Sequence, residues 1–336
     1  MKFLIAGLGS IGQRHLRNLI QLGEEDVVLY RTHRSNLAGD EFNRFPVETD
    51  LSAALNHKPD AVIISNPTAL HMPVAIPAAR AGCALFIEKP LANQIDELLG
   101  LETALAQGNQ PVFVAYQFRF NPGLRKVKAL IEEGALGRPF SFTCHWGEYL
   151  PDFHPWEDYR LSYAARRELG GGVVLTLCHP LDYLRWLFGD VAELQAFTGR
   201  ISGLEVDVED YADVLLRFDS GLGGSLHLDY FRKPKRHDLE VVCSQGVLNW
   251  DYSDSMVRMR THSGDEQCFP APQSFERNQM YLEEMRHFIK IVKGKETSLC
   301  TFEDGKQALV LARGILHAGQ YHQRVVFHKQ GLMGEN

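Results

Sequence analysis

The strongest constraint on the fold is a rhythm. Over the first 118 residues, short apolar runs alternate with stretches of helical spacing. Residues 2–6 (KFLIA) read as a buried strand, and GLGSIG (7–12) follows at once. Leu16, Leu19 and Ile20 then recur at helical spacing until Gly23 supplies a stop. Further strands are expected at 27–30 (VVLY), 61–65 (AVIIS), 84–87 (ALFI) and 111–116 (PVFVAY). Between them lie DLSAALNHKPD and TALHMPVAIPAARAG, the latter with Pro73 near its start and Gly82 at its end. Asn93 is placed to cap a further helix, with Asp96 three residues on and Ile95, Leu98, Leu99 and Leu105 as its apolar stripe. Strand–helix alternation of this kind indicates a parallel, doubly wound sheet.

GxGxxG alone is a frequent chance pattern. Here it follows a strand and opens a helix, the context in which it becomes a dinucleotide fingerprint. Gly7 permits the tight turn, Gly9 lets a pyrophosphate approach the backbone, and Gly12 lets helix and strand pack closely. Ser10 and Ile11, in the first helical turn, join the cofactor set, because a helix N-terminus offers free N–H groups and positive dipole to phosphates. The end of the second strand selects the dinucleotide, since an acid there would accept the ribose hydroxyls of NAD. The chain has YRTHRSN instead, with Arg31 and Arg34 and no acid until Asp40. Guanidinium suits a 2′-phosphate, so the expected cofactor is NADP or NAD, with NADP favoured.

A chain of 336 residues exceeds one ordinary core and is expected to form two domains, 1–118 and 119–336, with the C-terminal helix free to pack back on the first. The formal charge of −7 argues against a nucleic-acid backbone as partner. No apolar stretch approaches the roughly 20 residues that span a bilayer, so no membrane partner is expected. The opening MKFLIAGLG mimics a signal peptide, but the run is too short and a glycine-rich turn follows it. Six cysteines without CxxC or Cys/His spacing argue against a metal site and fit reduced thiols in a cytoplasmic protein.

GLGSIGQRH, SNPTALH, EKPLA, RFNPGLRKVKALIEEGALGRP and ELGGGVVLTLCHPLDYLRWLFG occur in that order, followed by ERNQMYLEEMRHFI and TFEDGKQALVLARGIL. This series resembles the glucose-fructose oxidoreductase/inositol dehydrogenase (Gfo/Idh/MocA) family over essentially the whole chain. The resemblance implies an N-terminal Rossmann domain and a C-terminal α+β domain with a large open, mostly antiparallel sheet. It also implies a homodimer or homotetramer formed through that sheet. Two segments fit the sheet independently. Leu222, Leu226, Leu228 and Tyr230 alternate with Ser225, His227 and Asp229, and Phe140, Phe142, Cys144 and Trp146 alternate with polar neighbours.

The resemblance further implies hydride transfer between the nicotinamide and a hydroxyl or keto carbon of a sugar, sugar derivative or polyol. Such chemistry needs a proton acceptor for the hydroxyl and a cation or donor for the developing alkoxide. The family draws these from residues that correspond here to Lys89 and His179. Lys89 leaves a strand at the carboxyl edge of the sheet, where doubly wound folds bind ligands, and Pro90 fixes the backbone behind it and is suited to a cis bond. Glu88 is a candidate orienter of the lysine or ribose contact. Asn66 and Pro67 are expected to line the nicotinamide ribose, and His71 to pack the cofactor loop.

Asp182 lies three residues from His179 and is placed to orient substrate or ring. Arg119, Tyr149, Asp152, Trp156, Tyr159 and Arg160 are candidate substrate contacts, since sugars bind against aromatic faces with charged groups on their hydroxyls. Arg166 or Arg167 suits a substrate carboxylate or phosphate. Thr176 stands where relatives commonly carry aspartate; its hydroxyl can reach substrate but adds no charge to a nearby imidazole. That departure is compatible with a specialised substrate or a reductive direction. It also keeps open a non-catalytic dinucleotide-binding sensor of the same fold, with redox-assisted glycoside cleavage as a minor third reading.

Overall fold

The computed structural model describes residues 1–31, 42, 44–327 and 333–334. The chain divides into two compact units, Met1–Gln117 with Glu276–Leu309, and Phe118–Phe275 with Val310–Asn336. Residues 276–309, although late in the chain, belong to the first unit.

The elements of the first pass are β1 (Phe3–Ala6), α1 (Ser10–Gln21), β2 (Val27–Tyr30), β3 (Val47–Glu48), α2 (Leu51–Asn56), β4 (Ala61–Ile64), α3 (His71–Arg80), β5 (Ala84–Glu88), α4 (Leu98–Leu105) and β6 (Val112–Ala115). Their sheet runs β3-β2-β1-β4-β5-β6, and every pairing in it is parallel. β1, β4, β5 and β6 are buried along their whole length, because helices cover both faces of such a sheet; this is why they appear in sequence as unbroken apolar runs. Strand order reverses between β1 and β4, and the crevice beyond their carboxyl ends is where such sheets take ligands. α4 starts at Leu98, five residues after Asn93, whose backbone N–H goes to Glu97 Oε2 at 3.2 Å. Its buried positions are Leu98, Leu101 and Ala104, whereas Leu99 is 68% exposed. The expected stripe failed because the residues after Asn93 form turns, which rotate the helical face.

The second unit contains α5 (Pro122–Glu132), β7 (Pro139–Tyr149), α6 (Val173–Thr176), α7 (His179–Phe188), β8 (Val191–Gly199), β9 (Tyr211–Phe218), β10 (Gly223–Asp229), β11 (Phe231–Cys243), β12 (Gly246–Asp251), β13 (Met256–Thr261) and β14 (Glu266–Phe269). α8 (Arg277–Val292) and α9 (Phe302–Tyr321) follow, then β15 (Val325–Phe327) and β16 (Met333–Gly334). The ten strands run β14-β13-β12-β11-β7-β10-β9-β8-β15-β16, with one parallel pairing, β10 with β7. β9 alternates in burial along its length, with Ala212, Val214, Leu216 and Phe218 inward, as expected for a sheet with one packed face. Phe140 departs from the expected pattern at 54% exposed, and Phe197 and Leu215 also lie open on the sheet. α5 opens with Asn121 as cap, its Oδ1 accepting from Leu124 N at 3.1 Å, and Pro122 at the first turn. A Cβ on Gly123 would lie 2.4 Å from Trp250 Nε1, so the motif NPG is set by packing on that buried indole. No helix among the described residues is long and apolar enough to cross a membrane.

Candidate active site

In the first unit the site begins at the turn after β1. Gly7 has φ +93, and a Cβ there would meet Asn66 N at 2.7 Å. A Cβ on Gly12 would meet Gly7 O at 2.1 Å, so α1 lies directly on the turn. Gly9 differs, because its added Cβ would meet nothing within 4 Å among the described residues. The shelf above Gly9 faces the start of α1, whose first N–H groups have no intrahelical acceptor. Ser65, at the end of β4, donates from Oγ to Gly7 O at 2.9 Å and clamps the turn. Asn66 donates from Nδ2 to Leu70 O at 2.9 Å, while its buried Oδ1 has no partner among the described residues. An open shelf, unused helix N–H groups and an orphaned amide oxygen fit a dinucleotide with its ribose hydroxyls.

His71 joins this turn to the next. Its Nε2 faces Asn66 O at 3.0 Å, and its Nδ1 faces Pro90 O at 3.1 Å. Burial pushes its pKa below the usual histidine range, against the carbonyls and Glu88, which favour the cation. The loop it holds carries Lys89, half-buried, and a cis bond from Lys89 to Pro90. Glu88 ends β5 as a buried carboxylate; Oε1 bonds His15 Nε2 at 2.7 Å and Oε2 accepts from Lys89 N at 3.2 Å. Behind it stands Glu284 of α8, 0% exposed, with neither oxygen hydrogen-bonded among the described residues. Burial pushes Glu284 well above the usual carboxylate range, Glu88 adds to that, and Arg14 opposes it. Glu284 and His15 were missed by sequence reasoning, although an acid on the helical face of Tyr281 and Phe288 is a readable signal. Arg31 follows β2 and donates its N–H to Glu48 O at 3.1 Å. Arg34 lies outside the described residues.

In the second unit His179 opens α7 and is 2% exposed. Its ring lies 4.9 Å from Phe118 and stacks at 5.5 Å on Trp146, whose other neighbour, His237, is stacked at 4.2 Å. Burial holds His237 well below the usual histidine range, so it is a neutral ring beside the Tyr183 hydroxyl at 3.1 Å. Trp146 was read only as part of a strand's apolar face, and Tyr183 and His237 were not singled out in the sequence, where they look like ordinary core positions. Asp182 takes Arg119 in a bidentate pair, Nε to Oδ2 at 2.9 Å and Nη2 to Oδ1 at 2.6 Å, with both side chains buried. Thr176 is 3% exposed at the end of α6, a core position.

The candidate loop is tied elsewhere. Arg160 bonds Asp158 and Glu205, the Tyr159 hydroxyl accepts from Glu205 N at 3.1 Å, and Lys233 lies 4.1 Å over Tyr149 while pairing with Asp152. Trp156 is 70% exposed. Glu209, also missed, sits under the glycine triplet, its Oε1 accepting from Val174 N at 3.1 Å. Burial pushes its pKa to about 7, against backbone N–H groups and the arginines at 167 and 313.

A parallel sheet with this glycine turn and helix start defines the dinucleotide-binding class of fold. Residues 1–116 match the oxidoreductase-family model with NAD-binding Rossmann fold, and residues 124–249 match the GFO/IDH/MocA C-terminal domain. The chain belongs to the Gfo/Idh/MocA family of oxidoreductases. Myo-inositol 2-dehydrogenase of Thermotoga maritima is 28% identical over 329 residues, 93% of this chain and 94% of that protein. D-apiose dehydrogenase of Paraburkholderia graminis is 27% identical over 81% of this chain and 72% of its own length. Among solved folds, WlbA dehydrogenase from Bordetella pertussis, in complex with NADH and UDP-GlcNAcA, superposes with TM-score 0.83 at 23% identity, covering 98% of this chain and 99% of that one.

Proposed function

We propose that the protein is an NAD(P)-dependent dehydrogenase acting on a hydroxyl or keto carbon of a sugar, sugar derivative or polyol. The observation that carries the reading is Lys89, leaving β5 at the carboxyl edge of a parallel sheet whose first turn has an open shelf at Gly9. The names of the relatives, sugar and inositol dehydrogenases, support the substrate class. A bound nicotinamide supplies the hydride acceptor or donor. The Lys89 ammonium donates to the substrate oxygen and stabilises its developing negative charge. His179 accepts the hydroxyl proton in oxidation and returns it in reduction. Glu88 fixes the Lys89 backbone through its N–H, so the side chain starts from a defined place. The Arg119–Asp182 pair is the support that holds α7, rather than a free substrate contact. Arg31 supports acceptance of the 2′-phosphorylated cofactor. The exposed Phe140, Phe197 and Leu215 support a homo-oligomer through the open sheet.

The test is turnover of the full chain with NAD or NADP across sugars, polyols and nucleotide sugars, followed by nicotinamide absorbance. Lys89→Met and His179→Gln are expected to lower kcat on the order of 10²–10⁴-fold with dinucleotide affinity little changed. Wild-type protein that binds dinucleotide but transfers no hydride across the panel would support the sensor reading instead. Full turnover in Lys89→Met would end the assignment of that lysine.

A further inference from the structure

On the outer face of the large sheet, three neighbouring strands bring four chemically matched side chains into one row. Asp213 of β9 lies opposite His227 of β10, and His227 lies opposite His145 of β7. Asp229, two residues beyond His227, shares its face and sits opposite Gly147. That glycine is required, because a Cβ on Gly147 would lie 2.1 Å from Asp229 Oδ2. The missing side chain is what lets the carboxylate turn under β7 toward the two imidazoles.

The hydrogen bonds around His227 then pose a problem in proton counting. Its Nδ1 faces Asp213 Oδ1 at 2.5 Å, so that nitrogen carries the hydrogen. In the neutral ring, Nε2 is then a lone pair, yet it points at Asp229 Oδ2 from 3.1 Å. His145 Nε2 points at the same oxygen from 3.5 Å, is buried, and has no hydrogen-bond partner among the described residues. Asp229 is itself 0% exposed, its other oxygen accepting from Phe231 N at 3.1 Å, and Arg232 Nε reaches Oδ2 only at 3.4 Å. An extra proton on His227 would satisfy its own contact, while an N–H on His145 Nε2 reaches the carboxylate only at 3.5 Å, too long for a good hydrogen bond. One cation among the three atoms satisfies both.

The distances favour a metal of zinc type. Bonds of about 2.0–2.1 Å at tetrahedral angles put neighbouring ligand atoms about 3.3 Å apart, and the two measured edges, 3.1 and 3.5 Å, bracket that value. All three ligand atoms lie within 4.8 Å of one another. Asp213 on the far nitrogen of His227 is the carboxylate–histidine arrangement that fixes the tautomer and raises the basicity of a metal-bound imidazole.

We propose that His145, His227 and Asp229 bind one zinc-class divalent cation through His145 Nε2, His227 Nε2 and Asp229 Oδ2. Asp213 is the positioning residue behind His227. The cation cross-links β7 and β10 near the middle of the sheet, remote in sequence from Lys89 and from His179. Two imidazole nitrogens and one carboxylate oxygen select a borderline transition ion over magnesium or calcium.

The experiment uses chelator-stripped full-length chain titrated with zinc chloride, read by calorimetry and by metal content after desalting. The expected result is one zinc per chain and a rise in melting temperature with added zinc. His145→Ala and His227→Ala each lower affinity at least tenfold, and Asp213→Asn lowers it about 10–100-fold. Cys268→Ser, which removes the exposed thiol, leaves the stoichiometry at one. Cobalt in place of zinc gives the visible absorption of a tetrahedral site in the wild type and loses it in His145→Ala, a readout independent of folding stability. If stripped wild-type protein takes up no zinc, the cluster is an imidazolium bridge and the proposal falls. Binding unchanged in both histidine variants overturns it equally.

Discussion

Replacing Glu209 by glutamine is expected to flatten the pH dependence of stability, and the size of the effect follows from the site. The carboxyl accepts from Val174 N and lies beneath Gly172, where an added Cβ would come within 2.3 Å of its Oε1. Burial raises its pKa from 4.5 to about 7. Between those two values the folded chain holds a proton that the unfolded chain has released. The resulting stabilisation is fully present below pH 4.5 and is lost as the pH rises through about 7. At about 1.4 kcal/mol per pH unit, the gap corresponds to about 3 kcal/mol, an upper figure because the residue is only half-buried. Glutamine keeps the shape and the acceptor for Val174 N but does not titrate. Urea unfolding of both proteins at pH 5 and pH 8, with equal m values, reads the difference. The variant should gain up to about 3 kcal/mol on the wild type between those pH values. A difference that stays constant would refute the buried-carboxyl reasoning.

The two glycines of the first turn should separate binding from folding. Gly9→Ala meets nothing within 4 Å and has φ −69, so its melting temperature should stay near the wild-type value while dinucleotide affinity falls at least tenfold. Gly12→Ala drives a methyl to 2.1 Å from Gly7 O and should cost about 1–3 kcal/mol as well as binding; equal stability of the two variants would contradict the packing described. Asp182→Asn leaves the Arg119 guanidinium buried without its counter-charge and should cost about 3–5 kcal/mol in unfolding experiments. Arg31→Glu should shift the ratio of kcat/KM for NADP over NAD toward NAD at least tenfold, and an unchanged ratio would remove Arg31 from cofactor selection.

The parallel sheet was legible because burial on both faces writes an unbroken apolar run, and β2 in particular matches its run residue for residue. The glycine turn was legible because each glycine answers a separate geometric demand. The start of α4 was not, because Asn93 lies in a loop where its backbone N–H goes to the Glu97 carboxylate, a contact no local pattern distinguishes from a cap. Asp182 and Arg119 were each readable as polar groups near the site. Their mutual capture depends on residues 63 apart in the chain meeting in the fold, which no local pattern encodes. Glu209 was hidden for a similar reason: within EVDVEDYADV it looks like one more solvated acid, and only the glycine triplet lying over it changes its chemistry.

The ring of His71 has a consequence for how such a protein can change over evolutionary time. It ties the backbone after β4 to the backbone after β5 through main-chain oxygens alone, so the tie is blind to the side chains at 66, 90 and 91. Every residue in that tie, with Glu88 and His15 behind it, belongs to the first unit. Substitutions among residues 118–275 can therefore accumulate without rebuilding the seat of the lysine.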